Sequence, residues 1–294
     1  LDLSNNFLRI SNPSSLSWLS KLSKLTVLVF KGINLTMEIP STSANLTQLN
    51  YLRLSTCQLN GQIPSWLANL TQLIELHLSH NKLQGQIPIS IFELKKLESL
   101  NLYSNNLTGT VSLHMFMKLK YLTSFFLSLN NISFLPEPIT NATLNRFVVI
   151  GLGSCKLSNF PHFLRNQDHL QVLDLSHNNI LGQIPKWVRN TSKETLMYVN
   201  FSHNLCFDHH LFNFPWPRLK ILDLRSNKLQ ALPPVPPPST LIYLVADNML
   251  QGEISPLICN LSSLYSFDLS NNKFGGMLPP CFSNFSNSLT ILNL

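Results

Sequence analysis

The chain has 294 residues, of which only 12% are charged, with a formal net charge of +7 and a pI near 9.2. It is too apolar for disorder and too poor in acids and bases for a coiled coil, and no apolar stretch approaches the length of a membrane-spanning helix. Lysines and arginines are scattered with no run longer than two, so no nucleic-acid partner is expected; a mildly basic surface facing an acidic polysaccharide fits better.

In chain order, the element that recurs is L-x-L-x-x-N-x-L. Its first residue falls at Leu1, Leu28, Leu52, Leu76, Leu100, Phe125, Ile150, Leu173, Val199, Leu222, Tyr243 and Phe267, and Leu292-Asn293-Leu294 begins a thirteenth copy. Alternating apolar positions predict a three-residue strand with one face buried in each copy. The sixth position is Asn in nine copies (Asn6, Asn81, Asn105, Asn130, Asn178, Asn204, Asn227, Asn248, Asn272), where a buried amide satisfies backbone groups as the chain turns off the strand. Cys57, Cys155 and Ile33 fill that slot in the other three. Because Leu1-Asp2-Leu3-Ser4-Asn5-Asn6 is already repeat core and Leu294 falls within a copy, a chain cut inside a repeat at both ends is expected. Stacked copies predict an α/β solenoid, with a parallel β-sheet on the concave side, formed by one domain over residues 1–294 of about twelve repeats.

A second signature follows the strand. Gly61-Gln62-Ile63-Pro64, Gly85-Gln86-Ile87-Pro88 and Gly182-Gln183-Ile184-Pro185 are full copies, with Gly276-Met277-Leu278-Pro279 close to them. L-x-G-x-I-P in a unit of about 24 residues resembles the plant-specific leucine-rich repeat, and Leu170 to Asn178 and Ile258 to Leu264 resemble receptor-like proteins of the Cf and Ve disease-resistance type. The resemblance covers the whole chain. It implies a right-handed superhelix with an irregular or 3-10 convex side, acting as the ligand-binding ectodomain of a cell-surface receptor in pathogen perception. It further implies an extracellular peptide or protein ligand, an adaptor receptor kinase and a co-receptor kinase as partners, and a plasma-membrane anchor outside these residues. A receptor-kinase ectodomain and a secreted polygalacturonase-inhibitor-like protein are the alternatives that share this repeat.

Two segments depart from the pattern. Cys206 to Pro217 lacks G-x-I-P and is expected to form an irregular convex loop, and Pro233 to Pro238 an extended polyproline back. Cys57, Cys155 and Cys206 fall in core slots and are expected to be buried free thiols. Cys259 and Cys281 instead fall on the convex half of consecutive coils, at the seventeenth and fifteenth positions, which predicts a disulfide worth about 3 kcal/mol. Sequons occur at Asn34, Asn45, Asn69, Asn106, Asn131, Asn141, Asn190, Asn260 and Asn284, and at Asn200, where the strand position makes a glycan incompatible with binding on that face.

Chemistry-bearing motifs are few. No H-E-x-x-H, G-x-S-x-G or phosphate-loop pattern occurs, and Gly151-Leu152-Gly153 is a repeat strand rather than a dinucleotide loop. His80, His177 and His203 occupy the same fifth slot, so register explains them better than metal ligation; Asp208-His209-His210 is the one local metal-like run. No catalytic constellation, metal site or cofactor is expected. Binding is instead expected on exposed strand-side slots. Tyr51, Arg53, Glu75, His77, His80, Asn101 and Tyr103 form a polar-aromatic stretch; Phe126 and Leu129, beside the side-chain-free Gly151 and Gly153, predict a shallow apolar depression. Asp174, His177, His203, Asp223 and Arg225 form a charged run in which paired histidines suggest pH-dependent binding.

Overall fold

The computed structural model describes residues 1–10, 12–135, 145–208, 216–231, 235–283 and 289–294. Two compact units, Leu1–Phe147 and Val148–Leu294, make up the chain, and each is a leucine-rich repeat solenoid.

In the first unit the strands Val27–Val29, Tyr51–Arg53, Glu75–His77, Ser99–Asn101 and Ser124–Phe126 pair in parallel, so that Leu28, Leu52, Leu76, Leu100 and Phe125 stand level and point inward. The chain then turns, runs through an outer layer of 3-10 helices (Pro13–Lys21, Ser41–Asn45, Ser65–Asn69, Ile89–Glu93) and one short α-helix (Leu113–Met117), and returns. Between the two layers lies a leucine core interrupted by a phenylalanine column. Phe92 meets Phe116 edge-on at 5.2 Å, and Phe116 stacks on Phe125 at 4.7 Å. The second unit repeats the plan with seven strands: Val149–Gly151, Val172–Asp174, Tyr198–Asn200, Ile221–Asp223, Ile242–Leu244, Ser266–Asp268 and Ile291–Asn293. Its outer layer holds 3-10 helices at His162–Asn166, Lys186–Asn190, Pro256–Asn260 and Pro280–Ser283.

Two backbone devices make each turn off the strand possible. The residue before the sixth slot is left-handed in every one of the twelve copies, for example His80 at φ 54°, Leu129 at 57°, His177 at 52° and Gly32 at 75°. The asparagine that follows then reaches into the turn. Asn178 Nδ2 donates to the carbonyls of Leu152, Leu175 and Ser176 at 2.8–3.1 Å, while its Oδ1 accepts from Cys155 N and Leu157 N, both at 2.9 Å. Asn81, Asn105, Asn130, Asn204, Asn227, Asn248 and Asn272 bond in the same way. Where cysteine replaces asparagine it has no amide oxygen to accept with, although the Cys57 thiol still donates to Phe30 O and Ser55 O, and the copy carries a second left-handed residue, Gln58 after Cys57 and Lys156 after Cys155. The following coil's asparagine then accepts two N–H groups instead of one.

Short lateral strands, not foreseen from the sequence, form beside the G-x-I-P segments. Gln84–Gln86, Asn106–Ser112 and Asn131–Leu135 pair in parallel in the first unit. In the second, Leu181–Gln183 pairs with Leu205–Phe207 and Gln251–Glu253 with Lys273–Gly275. Here glycine is required by two constraints at once. Gly109 sits at φ +91°, and a Cβ there would come within 2.8 Å of Gln86 Cγ on the preceding coil.

At its start, Cys206 and Phe207, the segment expected to be irregular is instead part of a strand. Leu205–Phe207 is a strand because Cys206 points into the core and its N–H is taken by Asn227 Oδ1 at 3.0 Å. At the far end Trp216 is buried and donates Nε1–H to Thr191 O at 3.1 Å. Residues 209–215 lie outside the described residues, as do 232–234, so the His209-His210 run and the start of the proline segment are not placed. Cys57, Cys155 and Cys206 are free and buried, and burial pushes their thiols up to about 11, 12 and 12. Cys259 and Cys281 are disulfide-bonded with Cα atoms 5.6 Å apart, joining consecutive outer segments of the second unit. Among the described residues, no helix is long and apolar enough to cross a membrane.

Candidate functional site

The exposed face of each sheet is set by strand periodicity: alternate residues point away from the core, and parallel register lines them up in columns. In the first unit one column runs Tyr51, Glu75, Ser99, Ser124 and the next Arg53, His77, Asn101, Phe126. Side chains two columns wide interlock across coils. Arg53 Nη2 and Nε both donate to Glu75 Oε2, at 2.6 and 3.0 Å, and the guanidinium lies 5.6 Å from the Tyr51 ring centroid. Glu75 Oε2 is 3.7 Å from His77 Nε2, which in turn is 3.0 Å from Ser99 Oγ. One continuous polar chain thus crosses three strands.

His77 is held below the usual histidine range, first by burial and secondarily by the Arg53 charge, with Glu75 opposing. Below the strands, at the turn, His80 meets Tyr103 edge-on at 5.0 Å. Asn101 does not face outward freely: its Oδ1 accepts the Tyr103 N–H at 3.1 Å, closing a side-chain turn. Phe126 is half-buried at the end of its column, and Leu129, 44% exposed, projects from a left-handed position. An exposed apolar, γ-branched side chain on a strained backbone satisfies neither packing nor propensity.

In the second unit the corresponding column is Gly151, Asp174, Asn200, Asp223, Leu244, Asp268, Asn293. Gly151 and Gly153 are buried. Much of the polarity in this column serves the turn. Asp174 Oδ1 accepts from Ser176 N and Oγ at 3.0 and 2.6 Å, Asn200 Oδ1 from Ser202 N at 3.0 Å, and Asp268 Oδ1 from Ser270 N at 3.1 Å. Asp223 is buried and paired with Arg225 through Nε at 3.0 Å and Nη2 at 2.8 Å. That bidentate pairing raises the Arg225 pKa.

Beside this pair the rings of His177 and His203 stack at 4.1 Å with an interplanar angle of 13°. Partial desolvation, then the charges of His177 and Arg225, hold His203 below the usual histidine range; Asp223 and Asp247 pull the other way. The structure therefore brings Asp223, Arg225, His177 and His203 into one patch, and ties Asp174 to its own turn. Sequence reasoning missed Ser99, Asp247 and Asn271, whose Nδ2 donates to Asp247 Oδ1 at 2.8 Å. For Asp247 and Asn271 the fifth-slot column that carries the histidines was the available signal, and for Ser99 it was the slot before the first leucine that also carries Tyr51 and Glu75. Among the described residues no group of three or more His, Cys, Asp or Glu side chains is placed to hold a metal ion.

Of the sequons, Asn45, Asn69, Asn106, Asn131, Asn190 and Asn260 are exposed, and Asn34 and Asn200 are half-buried. Asn141 and Asn284 lie outside the described residues.

Comparison with known proteins agrees with this architecture. Leucine rich repeat family profiles match residues 47–107, 169–191 and 263–285. The chain is 34% identical over 185 residues to receptor-like protein 6 of Arabidopsis thaliana, covering 61% of this chain and 18% of that protein. It is 36% identical over 170 residues to receptor-like protein 7 of the same plant, covering 57% and 17%. The chain thus spans under a fifth of these relatives. Among solved structures, the ectodomain of the Arabidopsis membrane receptor kinase GASSHO1/SCHENGEN3, in complex with Casparian strip integrity factor 2, superposes with a TM-score of 0.68 at 28% identity. It covers 98% of this chain and 40% of that one. The PEPR1–AtPEP1 complex gives a TM-score of 0.68 at 26% identity, covering all of this chain and 41% of that one.

Proposed function

We propose, from the premise that this chain is a leucine-rich repeat segment of the plant receptor-like protein type, that it forms part of the extracellular ligand-binding surface of a plasma-membrane receptor and recognises a peptide. The observation that carries this reading is the polar-aromatic array of the first unit. Tyr51, Arg53, Glu75, His77, His80 and Tyr103 lie in adjacent coils, half-buried or exposed, and their internal bonds hold them in one geometry. Preorganised aromatic and guanidinium groups lose little conformational entropy when a ligand docks, and they dominate interface energetics. Phe126 and Leu129 extend the same face with apolar area. In the second unit the partly exposed Arg225, held by Asp223, and the exposed His177–His203 stack offer hydrogen-bonding groups and ring surface to a ligand.

Support also comes from the similar GASSHO1/SCHENGEN3 receptor-kinase ectodomain, whose structure holds it in complex with Casparian strip integrity factor 2. In this reading the segment performs no chemistry; ligand binding completes a surface for a co-receptor kinase, and an adaptor kinase supplies the signal. Defence perception is the role carried over from the Cf- and Ve-type resemblance.

The test is a selection of the secreted chain against a library of peptides from the plant cell wall space. A variant carrying Arg53→Ala, His80→Ala and Tyr103→Ala serves as the counter-target. Peptides that bind the native chain and fail on the variant are the expected result. A library in which no peptide distinguishes the two would remove the first unit as the binding face. Reading the transcript beyond Leu294 separates the kinds of receptor: one apolar span with a short tail fits a receptor-like protein, and a kinase domain after the span fits a receptor kinase.

A further inference from the structure

Four of the outer 3-10 helices end on the asparagine of a sequon: Ser41–Asn45, Ser65–Asn69, Lys186–Asn190 and Pro256–Asn260. All four asparagines are exposed. In a 3-10 helix, side chains three residues apart eclipse one another, and each Cα–Cβ bond tilts toward the helix N-terminus. The asparagine therefore leans back over the residue three positions before it. Those residues are Thr42, Trp66, Trp187 and Leu257.

The two tryptophans differ in their surroundings. The Trp187 ring already has His162 alongside, with centroids 6.1 Å apart and an interplanar angle of 29°. Trp66 is half-buried and has no ring partner among the described residues, so part of its indole stays in contact with water beside Asn69. A large aromatic residue left half-covered on a solvent-facing helix, directly under a sequon, needs something to cover it. The next two outer-layer residues do not interrupt that surface, because Leu67 turns into the core and Ala68 is small.

We propose that Trp66 is the platform for an N-linked glycan on Asn69, with the first N-acetylglucosamine lying on the indole. The chemistry of the two surfaces matches. An indole face carries the negative lobe of its quadrupole, and one face of a pyranose presents several weakly positive axial C–H bonds. Attachment joins Asn69 Nδ2 to sugar C1, breaks the C1–O bond to the diphosphate of a lipid-linked donor oligosaccharide, and releases the amide proton to solvent. The glycan then shields apolar indole area, so it stabilises the coil that carries it. At Asn45 the eclipsed residue is Thr42, which offers no such surface, and a glycan there is free of the coil.

The chain secreted from plant cells, its Asn69→Gln and Trp66→Leu variants and the double variant give a thermodynamic cycle. Glycopeptide mass spectrometry should show Asn69 occupied. Asn69→Gln should lower the melting midpoint by about 2 °C in the native background and leave it unchanged in Trp66→Leu. Asn45→Gln should have the same effect, close to none, in both backgrounds. An unoccupied Asn69 overturns the proposal, and so does an Asn69→Gln shift of equal size with and without Trp66. If Trp66→Leu does not fold, NMR of the native glycoprotein decides: ring-current upfield shifts of the first sugar's C–H protons support the platform, and their absence overturns it. Neither outcome depends on whether the strand face binds a peptide.

Discussion

Replacing Asn178 by alanine isolates the device on which every coil depends. The native amide makes five hydrogen bonds, two accepted and three donated, in a buried turn. Two of the carbonyls it serves retain other donors, since Leu175 O also accepts from Asn204 Nδ2 at 2.9 Å and Ser176 O from Ser154 N at 2.9 Å. The N–H groups of Cys155 and Leu157 have Asn178 Oδ1 as their bonded acceptor. Each buried orphan costs about 1–3 kcal/mol, so the two orphaned N–H groups alone set an expected loss of about 2–6 kcal/mol. Urea unfolding followed by fluorescence measures the total. Amide hydrogen exchange locates it, because in a solenoid the loss falls on the nearest coils, and protection at Cys155 and Leu157 should fall first. Asn60, exposed in the first unit, supplies the comparison: its alanine variant should stay within about 0.5 kcal/mol. A loss at Asn178 of less than about 1 kcal/mol, with Cys155 and Leu157 still protected, would mean that the ladder is not what satisfies the turn.

Leu129→Asn should raise stability by about 1 kcal/mol in the same urea assay, because leucine is held at φ +57° while asparagine tolerates that region, and little buried surface is lost. An unchanged midpoint would show that the left-handed leucine carries no strain. Acid should weaken the first unit through His77. Its folded pKa lies below the ordinary 6.5, so stability is full above that value, declines as pH falls through 6.5 toward the folded pKa, and is level below it. His77→Gln should remove that component from a stability profile between pH 7.5 and 4.5; an identical slope in the variant would count against it. Cys259→Ser should cost about 3 kcal/mol, given a sequence separation of 22 residues, with the loss confined to the C-terminal coils in hydrogen exchange. A loss spread evenly over the chain would contradict that locality.

What was legible in the sequence is what repeats. Eleven of the twelve full copies, and the partial copy at Leu292, form the expected strand, because a three-residue strand in a stacked coil needs only one buried centre and Leu28, Leu52 or Ile150 announces it; the copy at Leu1 forms only a single bridge, Asp2 to Val29. The sixth-slot asparagines and the core cysteines followed from the same register. The residues of the exposed face were legible for the same reason, since alternation alone tells which side chains leave the core.

How those side chains meet was not legible. The Arg53–Glu75–His77–Ser99 chain, the His177–His203 stack and the Asp223–Arg225 pair depend on rotamers and spacings across coils separated by more than twenty residues. Asp174, read from the sequence as one member of a charged run, is bonded to Ser176, because a strand-ending aspartate has the turn's own N–H groups within reach. The lateral strands escaped as well: Gln84–Gln86 has no strand propensity, and its ladder exists only because the neighbouring coil presents Asn106–Ser112 at matching height. Local sequence thus determines what each coil is, through burial and backbone preference within about twenty-four residues. Tertiary stacking decides what the surface becomes, because recognition groups are made between coils, where distance in space is unrelated to distance along the chain.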